Sequence, residues 1–183
     1  MPLDPPAVAR RLLAAHPARG VLRVLAVDGP AGSGKTTAAD RMAGELGGAP
    51  VVHLDDLYEG WSGLRPSLWR RVREQVLEPL AAGQPARYQR YDWAAGRFTE
   101  WVPVPVTEVL VLEGVGAAAR ALEPWLCQRM WVESPPDVRL QRGIARDGEQ
   151  LRPQWLRWAV DEQAHFAEDG TRDRADLRVD GTR

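Results

Sequence analysis

The sequence predicts a three-layer α/β fold on a mainly parallel five-stranded sheet, with a hairpin insertion and a helical lid. Three observations carry that expectation. Apolar runs at 21–27, 51–54, 109–112, 130–132 and 175–180 read as strands and alternate with helical stretches. Gly29-Pro30-Ala31-Gly32-Ser33-Gly34-Lys35-Thr36-Thr37 fits the phosphate-loop pattern G-x-x-x-x-G-K-[ST], between the first strand and an Ala-rich helix at 36–46. Two strands run into acidic residues, Asp55-Asp56 and Glu113, at the carboxyl ends where open parallel sheets bind ligands.

The loop's chemistry follows from its residue types. Gly29, Gly32 and Gly34 let the backbone curl so that N–H groups of the stretch, Ala31, Ser33 and Thr37 included, face phosphate oxygens. The helix N-terminus adds its positive end. Lys35 reaches β- and γ-phosphates, and the Thr36 hydroxyl suits Mg²⁺, a hard cation that takes oxygen ligands. Composition supports the assignment: of 24 basic residues Lys35 alone is Lys, a compact charge kept where a phosphate needs one. The motif and its flanking elements thus indicate a P-loop NTPase.

A length of 183 residues suits a single domain over 1–183, large enough for a proper core. Net charge is −1, so no overall field draws the chain to nucleic acid or an anionic membrane. Cys127 is the one cysteine and reads as a small apolar residue in a reducing compartment. No apolar run approaches the roughly 20 residues of a membrane span, and the N-terminus carries Asp4 and three prolines instead of a signal-peptide core. A cytoplasmic location is expected.

In chain order, 5–16 is a short packing helix that Pro17 and Gly20 stop. Gly47-Gly48 ends the helix after the loop. An amphipathic helix at 66–83 places Leu68, Val72, Val76, Leu77 and Leu80 inward and Arg70, Arg71, Arg73 and Glu74 on a solvated face. Two alternating runs, 87–93 and 97–102, flank Ala94-Ala95-Gly96 as a hairpin within an acceptor-side insertion at 58–104. The stretch from Tyr58 to Trp101 holds eight of thirteen aromatics, enough to stack a planar acceptor or to form a satellite core.

The strand at 109–112 aims Glu113 at the loop's magnesium. Ser134-Pro135-Pro136-Asp137 opens a helix in the lid region, 134–152, with Ser134 as cap and Pro135 first. Arg139, Arg142 and Arg146 share one face of it and form either a phosphate clamp or a solvated face. A last helix from Pro153 to 167 packs Trp155, Trp158 and Phe166 inward.

The chain has no Asn and no second Lys, so the guanine-reading element of a GTPase is missing. A kinase needs an acceptor hydroxyl and a carboxylate to take its proton. The Asp55-Asp56 pair supplies the carboxylate, with the choice between the two open, and the aromatic insertion supplies the acceptor pocket. ATP and Mg²⁺ are the expected cofactors, and a small-molecule acceptor the expected partner.

Five pieces occur in an order that resembles the uridine/cytidine kinase family and its phosphoribulokinase-like relatives. They are the phosphate loop, Asp55-x-Leu57-Tyr58, Tyr91-Asp92 followed by Arg97, Leu112-Glu113-Gly114, and Arg139-x-x-Arg142-x-x-x-Arg146-Asp147. The likeness runs from Val21 onward. It implies that Asp55 is the base on a sugar 5′-hydroxyl and lies near magnesium. It also implies that Tyr58, Tyr91 and Arg97 line a nucleoside pocket bordered by Glu113, and that Arg139, Arg142 and Arg146 hold phosphates.

Two features depart from that family. Ala94, Ala95 and Gly96 follow Trp93 where relatives carry a His that reads the base, and Leu57 replaces an aromatic. The uridine or cytidine acceptor therefore has rivals. One is a sugar acid, shikimate-like or pantothenate-like alcohol held by Arg87, Arg90 and Arg97. Another is a nucleotide-binding switch without transfer, whose partner docks on the aromatic segment.

Overall fold

The computed structural model describes residues 2–182. Five parallel strands form the central sheet in the order β2-β5-β1-β6-β7: β1 (Arg23–Asp28), β2 (Val51–His53), β5 (Val109–Glu113), β6 (Gln128–Glu133) and β7 (Leu177–Asp180). β1 is central, with Val27 opposite Glu113 on β5 and Met130 on β6. Strands buried on both faces read as continuous apolar runs, and β1 does so because alternate residues enter different cores. Val24 and Ala26 face one core with Leu110, Leu112 and Trp158; Leu25 and Val27 face the other with Met42, Val111 and Met130.

Helices cover both faces. α1 (Pro5–Ala14) and α2 (Lys35–Glu45) supply Leu12, Ala39 and Met42 to the second core. On the first core lies the helix over 66–81, where α3 (Pro66–Val72) passes through a π turn at Arg73–Leu77 into α4 (Glu78–Ala81). Pro79 has no N–H for the carbonyl of Gln75, and the helix widens in the turn before it. Each fully buried Leu or Val in these layers contributes about 1.5–3 kcal/mol relative to exposure.

The insertion is an antiparallel hairpin, β3 (Ala86–Asp92) and β4 (Arg97–Val104), with a register shift between Gln89 and Tyr91. α5 (Pro136–Asp147), α6 (Arg152–Asp169) and the short α7 (Thr171–Arg174) complete the chain before β7. Among the described residues, no helix is long and apolar enough to cross a membrane.

Three expectations need correction. α5 begins at Pro136 with Pro135 as its cap residue, and the Ser134 hydroxyl instead donates to the Ser33 carbonyl at 3.0 Å. The acidic pair does not end a strand: β2 stops at His53, and Leu54–Asp56 is a 3₁₀ turn. Arg71 leaves the solvated face to donate to Glu59 (2.7 Å) and the Leu57 carbonyl (2.9 Å) while stacking on Phe98.

Candidate active site

The phosphate loop leaves β1 at Asp28 and enters α2 through Gly34, whose φ of 97° makes a left-handed cap with no side-chain bond. The first amides of α2 therefore have no capping side chain competing for them. Gly32 has φ of 75°, and a Cβ there would meet the Arg139 carbonyl at 2.6 Å, so the loop and α5 approach only through glycine. Lys35 is buried, and its Nζ donates to the Pro30 carbonyl at 3.0 Å.

Two buried carboxylates anchor the loop. Asp28 accepts from the amides of Gly29 (2.7 Å), Gly116 (3.0 Å) and Ala118 (2.8 Å), joining the loop to the segment after β5. Burial outweighs those bonds and the Lys35 charge and raises its carboxyl to about 6. Glu162 on α6 accepts from the Ala31 amide (2.8 Å) and from Arg139 Nη1 (2.8 Å). Its carboxyl is likewise raised, by burial first.

Neither anchor was foreseen. Asp28 was legible as an acid closing an apolar strand. Glu162 was legible by its spacing, four residues after Trp158 and seven after Trp155, which puts the three on one buried helix face.

A cavity of ≈ 640 Å³ opens beside the loop. Its polar end holds Lys35, Thr36, Thr37, Asp55, Glu113, Arg142 and Arg146. Its far wall is aromatic, formed by Tyr58, Trp61, Trp93, Trp155 and Trp158. Trp61 is the hub of edge contacts, with ring centroids 5.5 Å from Trp93, 6.1 Å from Trp155 and 6.3 Å from Trp158. Tyr58 is fixed as wall: its hydroxyl donates to the Val115 carbonyl at 2.9 Å, and its ring abuts Trp158.

The two acids of the 3₁₀ turn part ways. Asp56 accepts from the Tyr88 hydroxyl (2.7 Å) and pairs with Arg90 (3.2 Å), both on β3. Asp55 lines the cavity, touching solvent across the mouth while protein walls it elsewhere. That partial withdrawal from water, ahead of the charge of Glu113, raises its carboxyl above the ordinary value; Lys35, Arg146 and His53 act against the shift. Glu113 is held by His53, with Nδ1 and Oε2 2.7 Å apart, and this bond raises the imidazole pKa.

The arginines of α5 separate as well. Arg142 and Arg146 line the cavity, whereas Arg139 lies behind the loop, committed to Glu162. Arg142 Nη1 donates to the carbonyls of Gly32 (3.3 Å) and Gly181 (3.1 Å). Arg146 forms a two-point pair with Asp147 at 2.7 and 3.0 Å, over the Trp155 ring.

Tyr91 and Arg97 do not line the cavity. Tyr91 packs edge-on against Trp93 and Phe98, and Arg97 is exposed opposite Asp92 beside the hairpin turn. Arg87 stacks on Trp101, and Arg90 is taken by Asp56 and Glu100, so this trio does not form a carboxylate site in the cavity.

A second cavity of ≈ 460 Å³ lies on the other side of the loop and shares Gly34, Thr37 and Arg142 with the first. Pro2, Leu3, Ala38, Val132 and Val179 give it apolar walls, and Arg41 with 180–182 lines it as well.

No family model matches the chain, and no curated protein matches it. Solved structures do. A possible uridine kinase from Bacillus stearothermophilus aligns over 96% of this chain and 97% of its own, at TM-score 0.69 and 20% identity. A protein provisionally assigned as a fructose transport system kinase, from Silicibacter sp. TM1040, aligns over 96% and 98%, at TM-score 0.72 and 20% identity. The chain has the fold of the uridine kinase-like P-loop kinases.

Proposed function

We propose that the protein is an ATP-dependent phosphotransferase that moves the γ-phosphate to a hydroxyl of a small molecule in the tryptophan-walled cavity. One observation carries this reading: Asp55 shares a cavity with Lys35 and Thr36, while the neighbouring Asp56 is drawn off by the hairpin. A base must face the acceptor hydroxyl, and its raised carboxyl holds a proton more tightly than an ordinary carboxylate. The acceptor implied by the resemblance is a nucleoside such as uridine or cytidine.

The residues fit the nucleotide. Loop amides and Lys35 suit the β- and γ-phosphates, and Arg142 and Arg146 suit charge on the phosphoryl group in transfer. The second cavity, with apolar walls beside Arg41 and Arg142, suits a base, since it adjoins the first at the loop. Magnesium fits also. Among the described residues no three His, Cys, Asp or Glu form a cage of their own, as befits an ion held by one or two carboxylates plus phosphates. Thr36, Asp55 and Glu113 would hold it, and it would neutralise phosphate charge. Asp55 then takes the acceptor proton while the tryptophans exclude water.

A neutral alcohol of another class is the second reading, favoured because Tyr91 and Arg97 stand outside the cavity. ADP release from MgATP, alone and with uridine, cytidine, deoxynucleosides, neutral alcohols and sugar acids, tests both. Turnover with one acceptor, lost in Asp55→Asn, supports transfer and identifies the acceptor class. Release indifferent to every acceptor turns the reading to an ATP-binding switch.

A further inference from the structure

We infer that the segment ahead of α1 is part of the nucleotide site, with Leu3 acting as a wall that selects for a nucleotide's base. The inference rests on the reading that nucleotide phosphates occupy the loop. Residues 2–16 lie outside the stretch that carries the family resemblance, and on sequence alone this segment has only a packing role. In the structure it does more. Pro2 and Leu3 line the ≈ 460 Å³ cavity together with Ala38 of α2, Val132 and Val179.

The arm is held in place by its own chemistry. Asp4 caps α1 by accepting from the Ala7 amide at 3.1 Å, and Val8, Ala9 and Leu12 anchor that helix in the second core. At its other end, Arg23 Nε on β1 donates to the Ala15 carbonyl at 2.9 Å. Leu3 is half-buried against the same core. The wall is therefore preformed, and a heteroaromatic ring entering beside it gains apolar contact without ordering a loop.

Gly34, Thr37, Arg41 and Arg142 line the cavity too, and 180–182 add a turn seated against the loop. A Cβ at Gly181 would meet the Ser33 carbonyl at 1.7 Å, and the Asp180 carboxylate accepts from both the amide (2.9 Å) and the hydroxyl (2.6 Å) of Thr182. Leu3 thus shares the cavity with a fixed turn. The arm thus adds a wall to the cavity from a part of the chain remote in sequence from the loop that holds the phosphates.

The test separates base from phosphate without any acceptor. MgADP and magnesium tripolyphosphate are titrated calorimetrically into the full chain and into Leu3→Ala and Leu3→Asp. Leu3→Ala is expected to raise the Kd for MgADP about fivefold and Leu3→Asp about twentyfold or more, through lost apolar contact and a desolvated charge. Tripolyphosphate affinity stays within about twofold, which also shows that the variants fold. Unchanged MgADP affinity in both variants overturns the inference, as does parallel weakening of both ligands. A parent chain that binds tripolyphosphate as tightly as MgADP has no base slot, which overturns the inference alone. A parent chain that binds neither removes the reading on which it stands.

Discussion

The indole N–H of Trp93 donates to the backbone carbonyl of Asp55 across 3.0 Å, tying the hairpin to the candidate base through the main chain. Trp93 is 43% exposed at the cavity mouth, so the bond is reachable from solvent and from any acceptor that enters. With Tyr88 and Arg90 on Asp56, the hairpin grips both acids of one 3₁₀ turn.

Trp93→Phe keeps a ring and deletes the donor. With the acceptor found in the panel, turnover is expected to fall about three- to tenfold, the cost of one hydrogen bond, with a smaller change in KM. A KM effect alone would mean that Trp93 serves only as wall.

Asp55→Asn removes the base. Transfer is expected to drop by at least about 100-fold while MgADP affinity changes little. In the parent chain, activity should fall on acidification at a pH above the ordinary carboxylate range, because the base must be ionised. A pH–rate profile and a calorimetric titration of MgADP check these together.

Asp28 carries a stability prediction with a definite sign. Its folded carboxyl lies at about 6 against 3.8 unfolded, so the folded chain binds the proton more tightly. Stability from this group is present below about pH 4 and is lost as pH rises through about 6, by at most about 3 kcal/mol. Urea midpoints of the parent chain and Asp28→Asn, compared from pH 4 to 7.5, should show the parent losing ground to the variant. A constant difference would place the proton elsewhere.

Glu162→Gln and Arg139→Gln each leave one partner of a buried pair exposed to an unmatched neighbour. Each should cost about 2 kcal/mol in chemical denaturation, and the double variant less than the sum by about 1 kcal/mol or more. Strict additivity would show that the two side chains act independently.

Much of this was legible before any coordinates. The phosphate loop declared itself because its function constrains residue type at fixed spacing, and β1 and β5 because strands buried on both faces tolerate only apolar residues. The hairpin announced itself by alternation around Ala94-Ala95-Gly96. What stayed hidden depended on partners distant in sequence. The division of labour between Asp55 and Asp56 is decided by Tyr88, Arg90 and Trp93, and the withdrawal of Arg139 by Glu162. The first turn of α5 was misplaced because Ser134 finds the Ser33 carbonyl in space, where a sequence motif suggested a local cap.

The strand order has a consequence for biosynthesis. β1, the first strand made, pairs only with β5 and β6, which follow the whole hairpin insertion. A ribosome must therefore release the phosphate loop, α2 and the hairpin before the central ladder can close on either edge. Until then the nascent chain carries a bare strand whose centre, 24–27, is apolar, an aggregation hazard that the high contact order makes slow to resolve. Chains truncated before β6 should be insoluble or chaperone-bound, and refolding of the intact chain should be gated by the late arrival of 109–133.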